Sequence, residues 1–291
     1  MTASAYIAVI LNGILVGGVY GLFSSAFTFQ SGALKFANFS YGACLMVSMY
    51  LTYASTQEWG FPVPVAVIFV LLCNVLMGFV LRKTVLRSNN FGTQILCTMG
   101  VSMILVNVVT FFFTSYPRDL AIFEHRIQIT DRISLGSIQL VCFVLAGVVL
   151  LGFHVFLNRT WPGKAIRAVV QNSDIAATMG INTRRTMDMA FSLSYMLIGV
   201  SGMMLMVMNS ARPDIGNYFQ TLAFIICVSA GIGNMGGAFF SGIFVGVLSA
   251  LITTVLGAQF HDPLLFGLFV VLLLIRPYGI FSSRKKVASS I

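Results

Sequence analysis

Apolar stretches of about 18–25 residues, each the length of one helical crossing of a bilayer core, recur along almost the whole chain. They lie near residues 5–29, 36–55, 62–81, 94–114, 138–157, 189–209, 218–235, 238–257 and 263–276. The last is only about as long as a half-span, and residues 218–257 run almost without interruption, so either segment can contain a re-entrant piece. These lengths exclude an outer-membrane barrel, whose strands are alternating runs of about 10 residues. A soluble fold is excluded by composition: 58% of the 291 residues are hydrophobic and 9% charged, against about 25% charged in soluble domains. The expected fold is an all-α polytopic transmembrane bundle of about eight or nine spans, forming one domain over residues 1–291.

The net charge of +9 would point to nucleic acid in a soluble protein, but here the cations sit in short loops between apolar runs. Residues 82–93 carry Arg82, Lys83 and Arg87 with no acid, and residues 158–188 carry Arg159, Lys164, Arg167, Arg184 and Arg185 against Asp174 and Asp188. The tail adds Arg276, Arg284, Lys285 and Lys286. The alternate loops are acidic or balanced: Glu58 alone in 56–61, and three acids against three arginines in 115–137. With nine spans the basic loops, Lys35 included, all fall on one side, so cytoplasmic positive bias predicts an outside N-terminus and a cytoplasmic C-terminus. The N-terminus has no charge before its first apolar run and no clear cleavage site, and is read as a retained span in a plasma-membrane protein. All five cysteines, Cys44, Cys73, Cys97, Cys142 and Cys227, fall inside apolar runs and read as small core residues.

Small residues repeat every four positions at Gly13, Gly17 and Gly21, and again at Ala238, Gly242, Gly246 and Ala250. That spacing keeps them on one helix face and lets backbones approach closely in lipid. Packing inside one subunit is the simpler expectation, and a subunit interface the sharper one. Two other segments combine glycine and asparagine where a helix would have to break: Lys35-Phe36-Ala37-Asn38-Phe39-Ser40-Tyr41-Gly42, and Gly231-Ile232-Gly233-Asn234-Met235-Gly236-Gly237. Broken helices at membrane depth survive where they line a cavity or are buried in protein, and paired breaks point to a solute path. Two tight turns between spans are the plainer alternative.

No Asp, Glu, Lys or Arg lies near the middle of a run, so the ionisable relay usual in ion-coupled pumps is absent. His125, His154 and His261 are too scattered to indicate a metal site, and neither a phosphate-binding glycine loop nor a nucleophile–base–acid set is evident. No catalytic residue or bound cofactor is expected, and energy for uphill movement must come from another chain.

The longest basic loop is more structured than a connector. Pro162 suits a first helical turn, and Ala165, Ile166, Val169 and Val170 then fall on one face. Asn172-Ser173-Asp174 offers caps for a second short helix, and Gly180 a left-handed ending. This loop, about residues 158–188, is similar to the coupling loop of branched-chain amino acid type ABC transporter permeases, whose relatives include urea and short-amide permeases. Gly163, Lys164, Arg167, Ala168, Gly180, Ile181 and Asn182 carry the resemblance. Residues 231–238 resemble a second signature of the family, and Arg276-Pro277-Tyr278-Gly279-Ile280-Phe281 a third. Relatives tend to have histidine where this chain has Tyr41.

The resemblance implies an importer subunit that works with a second, usually non-identical permease, two cytoplasmic ATPases that hold ATP and Mg, and an extracytoplasmic binding protein. The two breaks make Asn38, Ser40, Tyr41, Gly42, Gly233, Asn234, Gly236 and Gly237 the candidate translocation pathway, and the resemblance places the Tyr41 position in the family's translocation region. Neutral walls with helix-end dipoles suit a small polar solute without net charge: a branched-chain or other neutral amino acid, or urea or an amide. An ATP-independent facilitator and a membrane scaffold are the competing classes, and neither needs the 163–182 element.

Overall fold

The computed structural model describes residues 3–34, 38–84, 91–120, 126–130, 133–276 and 279–281. Lys35, Arg87, His125, Asp131, Arg132, Pro277, Tyr278 and the cations of the tail beyond Phe281 lie outside the described residues. Eleven α-helices occur in order among these: α1 Ala3–Leu34, α2 Tyr41–Tyr53, α3 Val63–Thr84, α4 Phe91–Phe113, α5 Ser137–Arg159, α6 Trp161–Gln171, α7 Ser173–Thr178, α8 Thr183–Met208, α9 Ile215–Ala230, α10 Met235–Val255 and α11 His261–Ile275.

Each of the nine apolar runs is helical, but they are unequal. Six of the helices (α1, α3, α4, α5, α8 and α10) are long and apolar enough to cross a membrane. The other three, α2, α9 and α11, have 13, 16 and 15 residues, short of the roughly 20 that a full crossing requires. Apolar runs overestimate helix length where hydropathy continues through a break. The run 218–235 ends as helix at Ala230, because Gly231 and Gly233 turn the chain with φ of 89° and 87°. α2 continues through one wider π-type turn, Ala54–Glu58, whose first residues are buried. One departure from an all-helical fold lies between α4 and α5. Arg126–Thr130 (β1) pairs antiparallel with Ile133–Gly136 (β2), Arg126 opposite Gly136 and Ile127 opposite Leu135. The alternation Arg-Ile-Gln-Ile-Thr has the two-residue period of a strand, too short to register beside the long helical runs.

The chain forms two compact units: Met1–Thr28 with Phe123–Gly147 and Leu222–Ile291, and Phe29–Ile122 with Val148–Thr221. In the first, the two glycine series are each other's packing partners. A Cβ on Gly13 would meet the Val247 Cα at 2.8 Å, one on Gly17 the Ile243 Cα at 2.7 Å, and one on Gly21 the Phe239 carbonyl at 2.7 Å. From the other side, Gly242 and Gly246 abut the backbones of Gly21 and Gly17. α1 and α10 therefore run antiparallel with backbone against backbone, and the Ser25 hydroxyl extends the seam by donating to the Met235 carbonyl at 3.0 Å. The glycine faces pack inside one chain. At the far end of α10, Ser249 Oγ lies 2.6 Å from His261 Nε2, and His261 Nδ1 lies 2.7 Å from Asp262 Oδ1, pinning α10 to the start of α11. This serine–histidine–aspartate chain joins two helices across the connection between them and was not legible in the sequence.

In the second unit α3 and α8 pack antiparallel: Gly78 lies on Tyr195, Gly199 on Asn74, and Arg82 Nε bonds Asp188 Oδ1 at 3.3 Å at one end. Asn74 is fully buried, donating to the Val70 carbonyl at 2.9 Å and accepting from the Ser48 hydroxyl at 2.7 Å. A polar side chain inside an apolar helix is thereby satisfied, as a medium without water demands.

The backbone seam sets a test. Gly246→Leu forces α1 and α10 apart and should destabilise the protein by about 1–3 kcal/mol, the usual range for overpacking. Gly100→Ala, where an added Cβ has nothing within 4 Å, should be neutral or slightly stabilising. Thermal unfolding in detergent would compare the two, and an unchanged midpoint for Gly246→Leu would contradict the seam.

Candidate functional site

Local chemistry shapes the 158–188 element. Thr160 caps α6, its hydroxyl accepting from the Gly163 N–H at 3.2 Å, and Pro162 occupies the first turn. Gly163 sits against the end of α5, where a Cβ would collide with the Phe156 carbonyl and the Leu157 backbone. Gly163, Ala165, Ile166 and Val169 are buried, so the apolar face read from spacing faces inward, with Val170 at its edge. The Asn172 side chain accepts from the Asp174 and Ile175 N–H groups, each at 3.0 Å, and starts α7. Gly180 ends that helix at φ 81°, and the Asn182 side chain caps α8 by accepting from Arg185 N–H at 3.1 Å.

The outward face is chemically mixed. Lys164 and Arg167 are exposed, and the Arg167 guanidinium is steadied by Asn158 Oδ1 at 2.7 Å. Asn158 in turn bonds His154 Nε2 at 2.8 Å. Beside the cations stand exposed apolar side chains: Trp161 at 75%, Ile175 at 62% and Met179 at 79%. Ala168 and Ile181 are half-buried. A connector has no reason to bound two short helices by Thr160, Asn172 and Gly180 and then present large apolar groups.

The break before α2 is fully buried at Asn38, Ser40, Tyr41 and Gly42, and it is held by polar side chains. Asn38 Oδ1 accepts from the Ser40 N–H at 3.0 Å and hydroxyl at 2.7 Å, while its Nδ2 donates to Gln30 Oε1 at 3.3 Å and Tyr195 Oη at 2.9 Å. Gln220 on α9 grips the same break from outside. Its Oε1 accepts from the Gly42 N–H at 2.8 Å and its Nε2 donates to the Asn38 carbonyl at 3.2 Å. A Cβ on Gly42 would collide with the Gly216 carbonyl, so glycine lets α2 and α9 touch. The Gly42 N–H at the start of this half-helix is thus already occupied by the chain's own glutamine.

The second break lies in the other unit. Asn234 caps α10, accepting from the Gly237 N–H at 3.0 Å, and its Nδ2 donates to the Phe281 carbonyl at 3.0 Å. Ile280 N–H donates to the Ser229 carbonyl at 2.7 Å, and the left-handed Gly279 lies against Gly231. The third sequence signature therefore closes over the second. Gly237 is buried under Asn234 and Phe281, whereas Gly233 and Gly236 are exposed. Sequence reading missed Gln30, Tyr195 and Gln220. Each is a polar residue within or at the end of an apolar run, and that is the signal that could have singled them out.

Apolar helices of spanning length, two breaks with satisfied backbones and a capped, exposed surface element define a multi-pass membrane permease. The chain belongs to the family described as branched-chain amino acid transport system / permease component, whose model matches residues 9–276. It is 25% identical over 292 residues to the high-affinity branched-chain amino acid transport system permease protein BraD of Pseudomonas aeruginosa, covering 94% of this chain and 95% of that one. It is 24% identical over 288 residues to LivH of Escherichia coli, which bears the same description, with 92% and 93% covered. The solved structure of PsaBC from Streptococcus pneumoniae in complex with Fab is similar in fold, with TM-score 0.53, 13% identity, and 99% of this chain and 96% of that chain covered. The relatives are transport permease components and not enzymes.

The glutamine clamp makes a prediction. Gln220→Ala leaves the Gly42 N–H without a partner and the Asn38 carbonyl with only the Tyr41 N–H at 3.4 Å, and should cost about 1–3 kcal/mol. Gln220→Glu keeps the acceptor for Gly42 but loses the donor to Asn38 and brings a carboxylate into an uncharged site, so it should be destabilised as well. Chemical unfolding in micelles measures both, and equal stability of Gln220→Ala and the parent would show that the clamp is dispensable.

Proposed function

We propose that this chain is one membrane-spanning subunit of an ABC importer that carries a neutral amino acid, most naturally a branched-chain one, into the cytoplasm. The observation that carries the reading is the 163–182 element. Its buried face and caps hold Trp161, Lys164, Arg167, Ile175 and Met179 outward as one rigid, mixed apolar and cationic surface. That chemistry suits docking into a cleft on a soluble partner. The partners in this reading are a second, non-identical permease, two ATPases holding ATP and Mg, and an extracytoplasmic binding protein. The printed names of the relatives, branched-chain amino acid permeases, support the solute class. ATP biases the assembly only by binding one arrangement of the ATPase pair more tightly than another, and a stiff contact passes that bias to the membrane helices.

In this reading the N-terminus is outside, the C-terminus is cytoplasmic, and the spans number eight or nine. Helices of 15 or 16 residues such as α11 and α9 reach about 23 Å at 1.5 Å per residue, so they cross with their flanking turns or stop partway through a 30 Å core. Cysteines introduced at Glu58 and Ser173 in a chain lacking its own cysteines should label from outside and from the cytoplasm respectively. Labelling of both from one side would overturn the orientation.

The coupling role has its own test, read as uptake in vesicles and as ATP hydrolysis with and without loaded binding protein. Arg167→Glu should abolish uptake and weaken recovery of the ATPase with the permease. A loop that only met anionic headgroups would lose about 1 kcal/mol and keep transport. At Gly180 the space for a Cβ is open, so only the backbone objects: Gly180→Val should lose function through left-handed strain of about 1 kcal/mol or more. Gly180→Asn, which tolerates that conformation, should retain it. Wild-type values for Arg167→Glu in both assays would return the facilitator reading to first place.

A further inference from the structure

A cavity of about 290 Å³ lies in the second unit, between the break before α2, the middle of α4 and the first turn of α9. Apart from Phe39, which belongs to the break before α2, its lining lies outside the segments that the sequence marks as functional. Its wall combines Phe39, Met99, Met103 and Val106 with the neutral polar groups Ser102, Asn107, Asn217 and Gln220. No charged side chain lines it.

Three features make this more than a packing gap. Asn107 lies in mid-helix on α4 and is exposed, an expensive place for an amide if lipid covered it. Its Nδ2 donates to the Met103 carbonyl at 2.8 Å, which leaves one N–H and the carbonyl oxygen to face the space. Among the described residues, the side chains of Ser102 and Asn217 make no hydrogen bond. Gln220 spends one donor and one lone pair on the α2 break, and amide chemistry gives it one more of each. The volume is at the small end of ligand pockets, which begin near 300 Å³, so it admits a metabolite and not a drug-sized molecule.

We infer that this cavity is a binding station on the solute path, taking a zwitterionic amino acid with an apolar side chain. The inference rests on the permease reading above and names where on this chain the solute is held. Amide carbonyls can receive the ammonium and amide N–H groups the carboxylate, so both charges are answered without a fixed charge in the wall. Phe39, Met99, Met103 and Val106 receive the side chain, and methionine adapts to several shapes. A solute with net charge finds no counter-charge and is excluded by desolvation.

The test uses the assembled transporter in proteoliposomes, with its ATPases and loaded binding protein, and reads leucine uptake and thiol labelling. Ser102→Trp fills the cavity and should lower leucine uptake at least tenfold while the permease still co-purifies with the ATPase. Asn107→Cys, in a chain without other cysteines, should react with a small hydrophilic methanethiosulfonate. Leucine under ATP turnover should slow that reaction at least threefold, and glutamate and lysine should not. Parental uptake by Ser102→Trp, a thiol at 107 that stays unreactive because acyl chains cover it, or equal protection by glutamate or lysine would each overturn the assignment. If Ser102→Trp does not assemble, the labelling arm decides alone. A parent that takes up no neutral amino acid overturns the permease reading itself, which is a different result from a parent that transports while its filled-cavity variant transports equally.

Discussion

A peptide amide released by a broken helix has no water to turn to inside a bilayer, and leaving it bare costs several kcal/mol. Much of the architecture follows from how this chain meets that demand. At the break before α2, the Gly42 N–H and Asn38 carbonyl are met by one side chain, Gln220, from more than 170 residues away in sequence. Asn38 itself ties Ser40, Gln30 and Tyr195 into one buried network. At the break before α10 the partners are backbone groups of residues 280 and 281. A break is tolerable here only because distant segments are already in position to meet it, so each break also reports that its surroundings are folded.

The two units solve helix association differently. In the first, α1 and α10 bring bare backbones together along Gly13, Gly17, Gly21, Gly242 and Gly246, and contact area comes from removing side chains. In the second, α2, α3 and α8 are joined through polar groups, Ser48 to Asn74 and Asn38 to Tyr195, with Gly78 and Gly199 giving them room. Hydrocarbon offers no hydrophobic drive between helices, so close packing and internal hydrogen bonds must supply specificity. Both devices depend on one small or polar residue at a fixed position.

What the sequence makes legible is whatever is local. Caps at Asn172 and Asn182, the left-handed ending at Gly180 and the inward face of α6 all follow from spacing within a few residues. The glycine series were visible as patterns, although neither announces that it packs on the other. Long-range matches were not visible: Gln220 with Gly42, Tyr195 with Asn38, Ser249 with His261. A polar residue in an apolar run says that a partner exists and says nothing of where. The apolar run 218–235 overshoots the end of α9 for a related reason: hydropathy does not fall at Gly231, and only the glycine–asparagine pattern of 231–237 marks the break there.

Chain synthesis is directional, and the closure over α10 is made by residues synthesised after it. The Asn234 amide finds its acceptor at Phe281, 47 residues later, once α11 has been completed. Until then Asn234 can cap α10 through the Gly237 N–H, and the 231–234 turn has its own backbone hydrogen bonds, but the Asn234 amide N–H lacks this acceptor. The contacts of the 279–281 segment on Ser229 and Gly231 can therefore be made only after every helix of the first unit has been synthesised.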